Sequence, residues 1–306
     1  MAIAYISHPD CAAHDMGPHH PECPQRLSAI NDRLISSGLD MALRHYDAPL
    51  VDETLLAQVH DPQYLDDLQR RSPSEGTVWV DADTTMCPHS LRAARRAAGA
   101  VTFGVDLVIA KETSRVFCGV RPPGHHAERN QAMGFCFYNN IAVGARHALE
   151  HHGLQRVAIV DFDVHHGNGT EHIVAGDDRV LFCSTFQHPF YPNSGDGPSA
   201  DNVVNVPLSA GAGSDEFRSA VGEFWLPRLR AHKPQMLLVS AGFDAHAADD
   251  MAGLNLVDSD YGWIMQELVR LAGEREYCPI VASLEGGYDL HALARSVEAL
   301  LKAMLD

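Results

Sequence analysis

Four polar, glycine-rich segments carry the residues of this 306-residue chain that are equipped for chemistry. They read Arg121-Pro122-Pro123-Gly124-His125-His126, Asp161-Phe162-Asp163-Val164-His165-His166-Gly167-Asn168-Gly169, Ala241-Gly242-Phe243-Asp244-Ala245-His246 and Glu285-Gly286-Gly287-Tyr288. In the second segment an aspartate and a histidine stand two apart. Read as a strand end, that spacing turns Asp163 and His165 to one side, because strand side chains alternate. Asp244, from another segment, supplies a third donor. Two carboxylates and one imidazole around a divalent ion leave a position open for water and substrate, as in catalytic zinc sites. Such an oxygen-rich set also suits Fe(II). The tandem histidines His125 and His126 follow Gly124 at another strand end, a position that favours catalysis.

Each segment follows a short apolar run. The candidate strands are Val116–Val120, Val157–Asp161, Val180–Ser184, Met236–Ser240 and Pro279–Leu284. They are continuous rather than alternating, as parallel strands covered on both faces are. Helical spacing runs through Pro24–Ser37, Ser90–Ala110, Asn139–His152, Ser214–Ala231, Ser259–Leu271 and Leu290–Leu305. The alternation predicts one α/β domain over residues 1–306, three layers deep (α/β/α) around a mostly parallel central sheet. Such sheets bind ligands beyond the carboxyl ends of their strands. The four segments all fall there.

Composition narrows the partners. Forty Asp and Glu against 23 Lys and Arg give a net charge of −17. A generic phosphate-backbone binder needs the opposite sign, whereas a cationic substrate is attracted. No apolar run approaches the roughly 20 residues of a membrane span. The start, Met1-Ala2-Ile3-Ala4-Tyr5, lacks the basic and apolar regions of a secretory leader. Seven scattered cysteines form no CxxC pair, the pattern of reduced thiols. The expectation is a cytoplasmic protein with neither nucleic-acid nor membrane partner. Of the histidine pairs, His19-His20 reads as loop or site rim. His151-His152 reads as a helix end, where cationic side chains complement the dipole.

These segments, together with His20-Pro21-Glu22-Cys23-Pro24-Gln25-Arg26 and Gly134-Phe135-Cys136, resemble the histone deacetylase family of the arginase/deacetylase fold. The Arg-Pro-Pro-Gly-His-His form is similar to its class II and bacterial amidohydrolase members. The resemblance implies one Zn2+ held by Asp163, His165 and Asp244. It implies His125 and His126 as the active-site histidines, paired with Asp161 and Asn168 respectively, and Tyr288 as donor to the carbonyl oxygen. Gly134, Phe135, Tyr191 and Gly286 would line the substrate tunnel. Arg26 would belong to an acetate exit channel, and Ser184 to a K+ or Na+ site shared with Asp161, Asp163 and His165. An aspartate partner favours a charged imidazolium and a neutral asparagine does not. His126 is therefore expected as general base and then acid, and His125 as an electrostatic partner. The implied reaction is zinc-dependent hydrolysis of an N-acetyl amide of a lysine-like side chain, releasing acetate. The substrate partner would be an acetylated lysine peptide or protein, or a small N-acetylated amine.

Three other readings compete. An acetylpolyamine amidohydrolase resembles this chain closely, but the family places an acidic gatekeeper seven residues beyond the third metal ligand in a polyamine-specific member. Here that position is the apolar Met251, although Asp249 and Asp250 precede it. The early loop Cys11–Cys23 is also too short for the insertion of bacterial polyamine enzymes. A two-manganese ureohydrolase needs further Asp and His ligands that the motifs lack. A non-catalytic acyl-lysine binding module has no use for an intact Tyr288, His126 and ligand set.

Overall fold

The central strands form where β-branched and apolar residues run without interruption. The computed structural model describes residues 3–306; Met1 and Ala2, part of the stretch read for a leader, lie outside the described residues. In chain order the strands are β1 (Ile3–Ser7), β2 (Leu43–Asp47), β3 (Val78–Trp79), β4 (Thr85–Met86), β5 (Arg115–Cys118), β6 (Val157–Asp161), β7 (Val180–Gln187), β8 (Val203–Leu208), β9 (Leu237–Ala241) and β10 (Ile280–Leu284). Eight of them make one sheet in the order β2-β1-β5-β10-β9-β6-β7-β8. Every neighbouring pair in it is parallel. The short β3 and β4 form a separate antiparallel ribbon. All residues of β6, β9 and β10 are buried, so both faces of the sheet are covered.

Register is what assembles the site. Asp161, the last residue of β6, lies opposite Ser184 on β7 and Ser240 on β9. Leu284, the last residue of β10, lies opposite Ala241, the last of β9. The strands therefore end level, and the loops that leave them meet at one edge.

The helices Gln25–Ser36, Ser90–Ile109, Asn140–Glu150, Asp258–Gly273 and Leu290–Leu305 match the sequence expectation to within two residues. The expected helix Ser214–Ala231 is instead three pieces: Ser214–Ala220, a π-helical turn Val221–Trp225, and Leu226–His232. Pro227 explains the break, since it has no N–H for the carbonyl of Glu223 and its ring crowds that carbonyl. Five strands escaped the sequence reading: β1, β2 and β8 of the central sheet and the short β3 and β4. No described helix is long and apolar enough to cross a membrane. All seven cysteines are unpaired thiols.

Candidate active site

Asp163 and His165 are not strand residues. β6 stops at Asp161, and the alternation expected for them does not apply. A loop places them instead, pinned through its own backbone. Asp163 N–H donates to Asp161 Oδ1 (3.1 Å), His165 N–H to Asp163 Oδ1 (2.9 Å) and Val164 N–H to Asp244 Oδ1 (2.9 Å). His165 Nδ1 then stands 3.1 Å from Asp163 Oδ1 and 3.2 Å from Asp244 Oδ2. Donor atoms of all three residues lie within 4.8 Å of one another, and all three are buried.

This arrangement fits a divalent metal on two counts. Asp244 Oδ2 is buried with no hydrogen-bond partner. Burial, reinforced by the charge of Asp163, pushes the Asp244 carboxyl up to about 6; a cation between the carboxylates relieves that penalty. Spacings near 3.1 Å are also close to the roughly 3.3 Å edge of a tetrahedron with 2.0–2.1 Å bonds. Glycine makes the room. A Cβ on Gly242 would fall 2.1 Å from Asp163 Oδ2, and one on Gly286 would fall 2.1 Å from Asp244 Oδ2. Gly286 N–H donates to Asp163 Oδ2 at 2.9 Å. Gly286 thus packs against these two carboxylates, a closer engagement than the tunnel wall expected for it.

The tandem histidines sit side by side, ring centroids 4.0 Å apart, with opposite electrostatic environments. His125 Nδ1 donates to Asp161 Oδ2 at 3.0 Å. Burial alone lowers its pKa, but the carboxylates of Asp163 and Asp161 outweigh burial and lift it to about 10. His126 Nδ1 donates to Asn168 Oδ1 at 2.7 Å. Burial, with positive charge on His125 and His165, drives His126 well below its ordinary value. The two rings are thus pushed in opposite directions, His125 toward the charged form and His126 toward the neutral one. The Asn168 amide is oriented by its Nδ2, which donates to Glu128 Oε1 at 2.8 Å. The sequence reading missed Glu128, and it missed Glu285. The buried Glu285 accepts from the N–H groups of Gly124 (2.6 Å) and His125 (3.1 Å), fixing the histidine segment on the loop after β10.

Tyr288 follows that loop. Its phenol is pushed well above 10, by burial first and then by the charge of Asp244, and keeps its proton at neutral pH. The Arg26 guanidinium lies 4.9 Å from the Tyr288 ring centroid. Arg26 Nε donates to the carbonyl of Gly287 (2.6 Å) and its Nη2 to that of Glu285 (2.5 Å). Glu22 neutralises it at 3.1 Å and also binds Arg121, all three being buried.

Phe135 stands edge-on to Tyr288, centroids 5.9 Å apart, and Tyr191 stands edge-on to His126 at 5.3 Å and to His165 at 5.9 Å. His20 packs on Phe135 at 4.7 Å, which makes it a rim residue. Gly134 has φ +55°, and a Cβ there would fall 2.3 Å from the His126 ring. Met251 is half-buried. Its N–H donates to Asp249 Oδ1 at 3.0 Å. Ser184 lies under the site, opposite Asp161, and its buried Oγ has no partner. Asp249, one of the two acidic residues that precede Met251, is 5% exposed and its carboxylate is occupied by backbone N–H groups, which leaves it unsuited to accept a distal cation.

Known proteins share this chain's sequence pattern and fold. The histone deacetylase domain matches residues 20–304. A histone deacetylase-like amidohydrolase of Pseudomonas aeruginosa is 36% identical over 305 residues, covering 91% of this chain and 79% of that protein. A polyamine deacetylase, HDAC10, of Mus musculus is 35% identical over 332 residues, covering 100% of this chain and 48% of that protein. The crystal structure of the HDA15 HD domain superposes with a TM-score of 0.92 at 32% identity, covering 99% of this chain and 88% of that one. The α/β fold is the deacetylase-like one, and the chain belongs to the histone deacetylase family.

Proposed function

We propose that this chain hydrolyses the N-acetyl amide of an extended amine, such as an acetylated lysine side chain, with zinc held by Asp163, His165 and Asp244. The observation that carries this reading is the contrast between His125 and His126 beside that triad. A zinc ion there supplies Lewis acidity toward the amide carbonyl and toward water; Fe(II) is the alternative for so oxygen-rich a set. His126 is neutral, and with Nδ1–H given to Asn168 its Nε2 is free to take the proton of the attacking water and return it to the departing amine. His125, charged against Asp161, offsets negative charge as it develops. Tyr288 donates its hydroxyl hydrogen to the carbonyl oxygen. Phe135 and Tyr191 wall a narrow approach that admits an aliphatic chain and limits water, with Gly134 leaving His126 its space. Arg26 is the cation beside the acetate exit. Ser184 Oγ, with oxygens of Asp161, Asp163 and His165, would hold K+ or Na+.

On this reading residues 1–306 act as one catalytic domain in the cytoplasm on acetylated peptides, proteins or small amines, and not on nucleic acid or membranes. Unpaired thiols and the charge of −17 support that setting. A second reading, acetylpolyamine hydrolysis, is favoured by the same negative charge and by the relative named a polyamine deacetylase.

The test is acetate release from an acetyl-lysine peptide by zinc-loaded wild type and Tyr288→Phe. The variant should keep its zinc and fold and lose turnover by roughly 10²–10³-fold. Turnover near that of wild type removes Tyr288 from the chemistry. Absence of acetate release from any acetylated amine by the wild type overturns the reading.

A further inference from the structure

A second group of metal-ligating side chains lies at the far end of the helix Asn140–Glu150. His147 is in its last turn, His151 is its C-cap residue and His152 follows. His147 Nε2 and His152 Nε2 each stand 2.7 Å from one atom, Asp106 Oδ1, on the neighbouring helix Ser90–Ile109. Among the described residues, only this group and Asp163–His165–Asp244 bring three such donors within 4.8 Å of one another. The end-of-helix role expected for His152 misses this convergence, because Asp106 is 46 residues away in sequence. We infer that Asp106, His147 and His152 form a second metal site, for a borderline divalent cation such as zinc.

Five physical features support it. Two imidazoles and a carboxylate match zinc, cobalt and nickel, whereas calcium and magnesium want oxygen alone. The donors need little movement: a tetrahedral edge of roughly 3.3 Å asks the 2.7 Å contacts to open by about 0.6 Å. The donors are also preorganised. The His151 ring stacks on His147 at 4.8 Å and 10°, and the two helices pack closely, a Cβ on Gly144 falling 2.4 Å from Val101. Both helices present their C-terminal ends, whose partial negative charge favours a cation. His147 is 8% exposed, His152 18% and Asp106 46%, so the open side of the group faces solvent, where an ion can enter with water as a fourth ligand.

The site is separate from the catalytic edge. The helix begins beside the catalytic histidines, where Asn139 Nδ2 contacts the carbonyl of His125 at 3.5 Å. It then runs for about 16 Å toward the start of β6, the opposite edge of the sheet. A cation there would tie the ends of two core helices without touching substrate.

The competing arrangement is a plain carboxylate accepting two imidazole N–H bonds. His152→Gln separates the two, because glutamine keeps an N–H donor toward Asp106 and loses the ligating imidazole nitrogen. Zinc-loaded enzyme is equilibrated with a small excess of free Zn2+, and bound zinc per chain is measured by elemental mass spectrometry. Wild type should hold one zinc more than His152→Gln and one more than Asp106→Asn, with acetate-release kcat/KM unchanged in both variants. Addition of Zn2+ should also move the Nε2 resonances of His147 and His152 in the wild type. Equal zinc content in wild type and both variants, or unmoved resonances, would overturn the site. Since the readout is a difference in zinc between folded proteins, it stands whether or not acetyl-lysine is the substrate.

Discussion

The buried carboxylate of Asp249 carries the backbone of Tyr288. Asp249 Oδ2 accepts the Tyr288 N–H at 2.6 Å and the Asp289 N–H at 2.9 Å. Its other oxygen accepts Met251 N–H at 3.0 Å. One side chain thus couples the residue expected at the tunnel mouth to the residue expected to stabilise the oxyanion. Asp249→Ala should keep zinc and the KM for an acetyl-lysine peptide within about twofold. It should lower kcat by roughly 10–100-fold, since hydrogen bonds to a charged group are worth about 1.5–3 kcal/mol. A variant whose KM rises at unchanged kcat would show that Asp249 shapes the mouth and not the tyrosine.

Burial and the neighbouring positive charges favour neutral His126, and the amide of Asn168 adds no negative charge to oppose them. Asn168→Asp replaces it with a carboxylate, which favours the imidazolium. The base must then be freed of a more tightly held proton. The acid limb of the kcat/KM profile should move to higher pH by about one unit. An unmoved limb would mean that another group accepts the proton.

Glu22 is the anion on which two buried arginines rest. Burial raises its pKa, but Arg121 outweighs burial, and with Arg26 the carboxyl is brought down to about 2. The unfolded value is about 4.3, so the native state binds fewer protons and its advantage is present above that value. Roughly 3 kcal/mol should be lost as pH falls from about 5 through about 2. Glu22→Gln should lose about 3–5 kcal/mol at pH 7, because buried guanidinium groups are left unpaired. Its stability should then vary less across the acid range. Denaturant melts at pH 7 and pH 3.5 measure both quantities, and parallel pH curves for the two proteins would contradict the assignment.

On the proposed reading, Met251 takes the gatekeeper position at which an acidic residue would meet a second ammonium. Asp249 is buried and engaged, whereas Asp250, next to Met251 in sequence, is exposed. Met251→Glu should raise kcat/KM for acetylspermidine over that for an acetyl-lysine peptide by about fivefold to tenfold, since about 1.4 kcal/mol corresponds to tenfold. The shift should shrink as salt rises. An unchanged ratio removes Met251 from specificity. A wild-type preference for the polyamine that vanishes in Asp250→Asn would favour the second reading of the substrate.

Five of the six interior strands of the sheet were legible because they are unbroken apolar runs, which only a strand covered on both faces needs; β1, also interior and buried, was missed although it carries the same signature. The outer strands carry no such signature. β2 is Leu-Arg-His-Tyr-Asp with Arg44, His45 and Asp47 exposed, and β8 contains Asn205 and Pro207. The chemistry-bearing residues were legible because glycine-rich text follows each central strand. Their supports were not. Glu22 meets Arg121 across 99 residues, Glu285 meets Gly124 across 161, and Arg26 meets Gly287 across 261. Such contacts have no period and no spacing. Asp163 and His165 do lie together, but a self-bonded loop, not strand alternation, turns them toward each other.

On the proposed reading, acetate release depends on a metal held by Asp163, His165 and Asp244. The most direct measurement is acetate release from an acetyl-lysine peptide before and after chelation, with zinc content measured in parallel on wild type and Asp244→Ala. Chelated wild type should lose turnover and regain it as zinc returns to the Asp163–His165–Asp244 site. Asp244→Ala should stay folded and inactive with that zinc absent. Full turnover by the chelated enzyme, or by Asp244→Ala, would contradict the account.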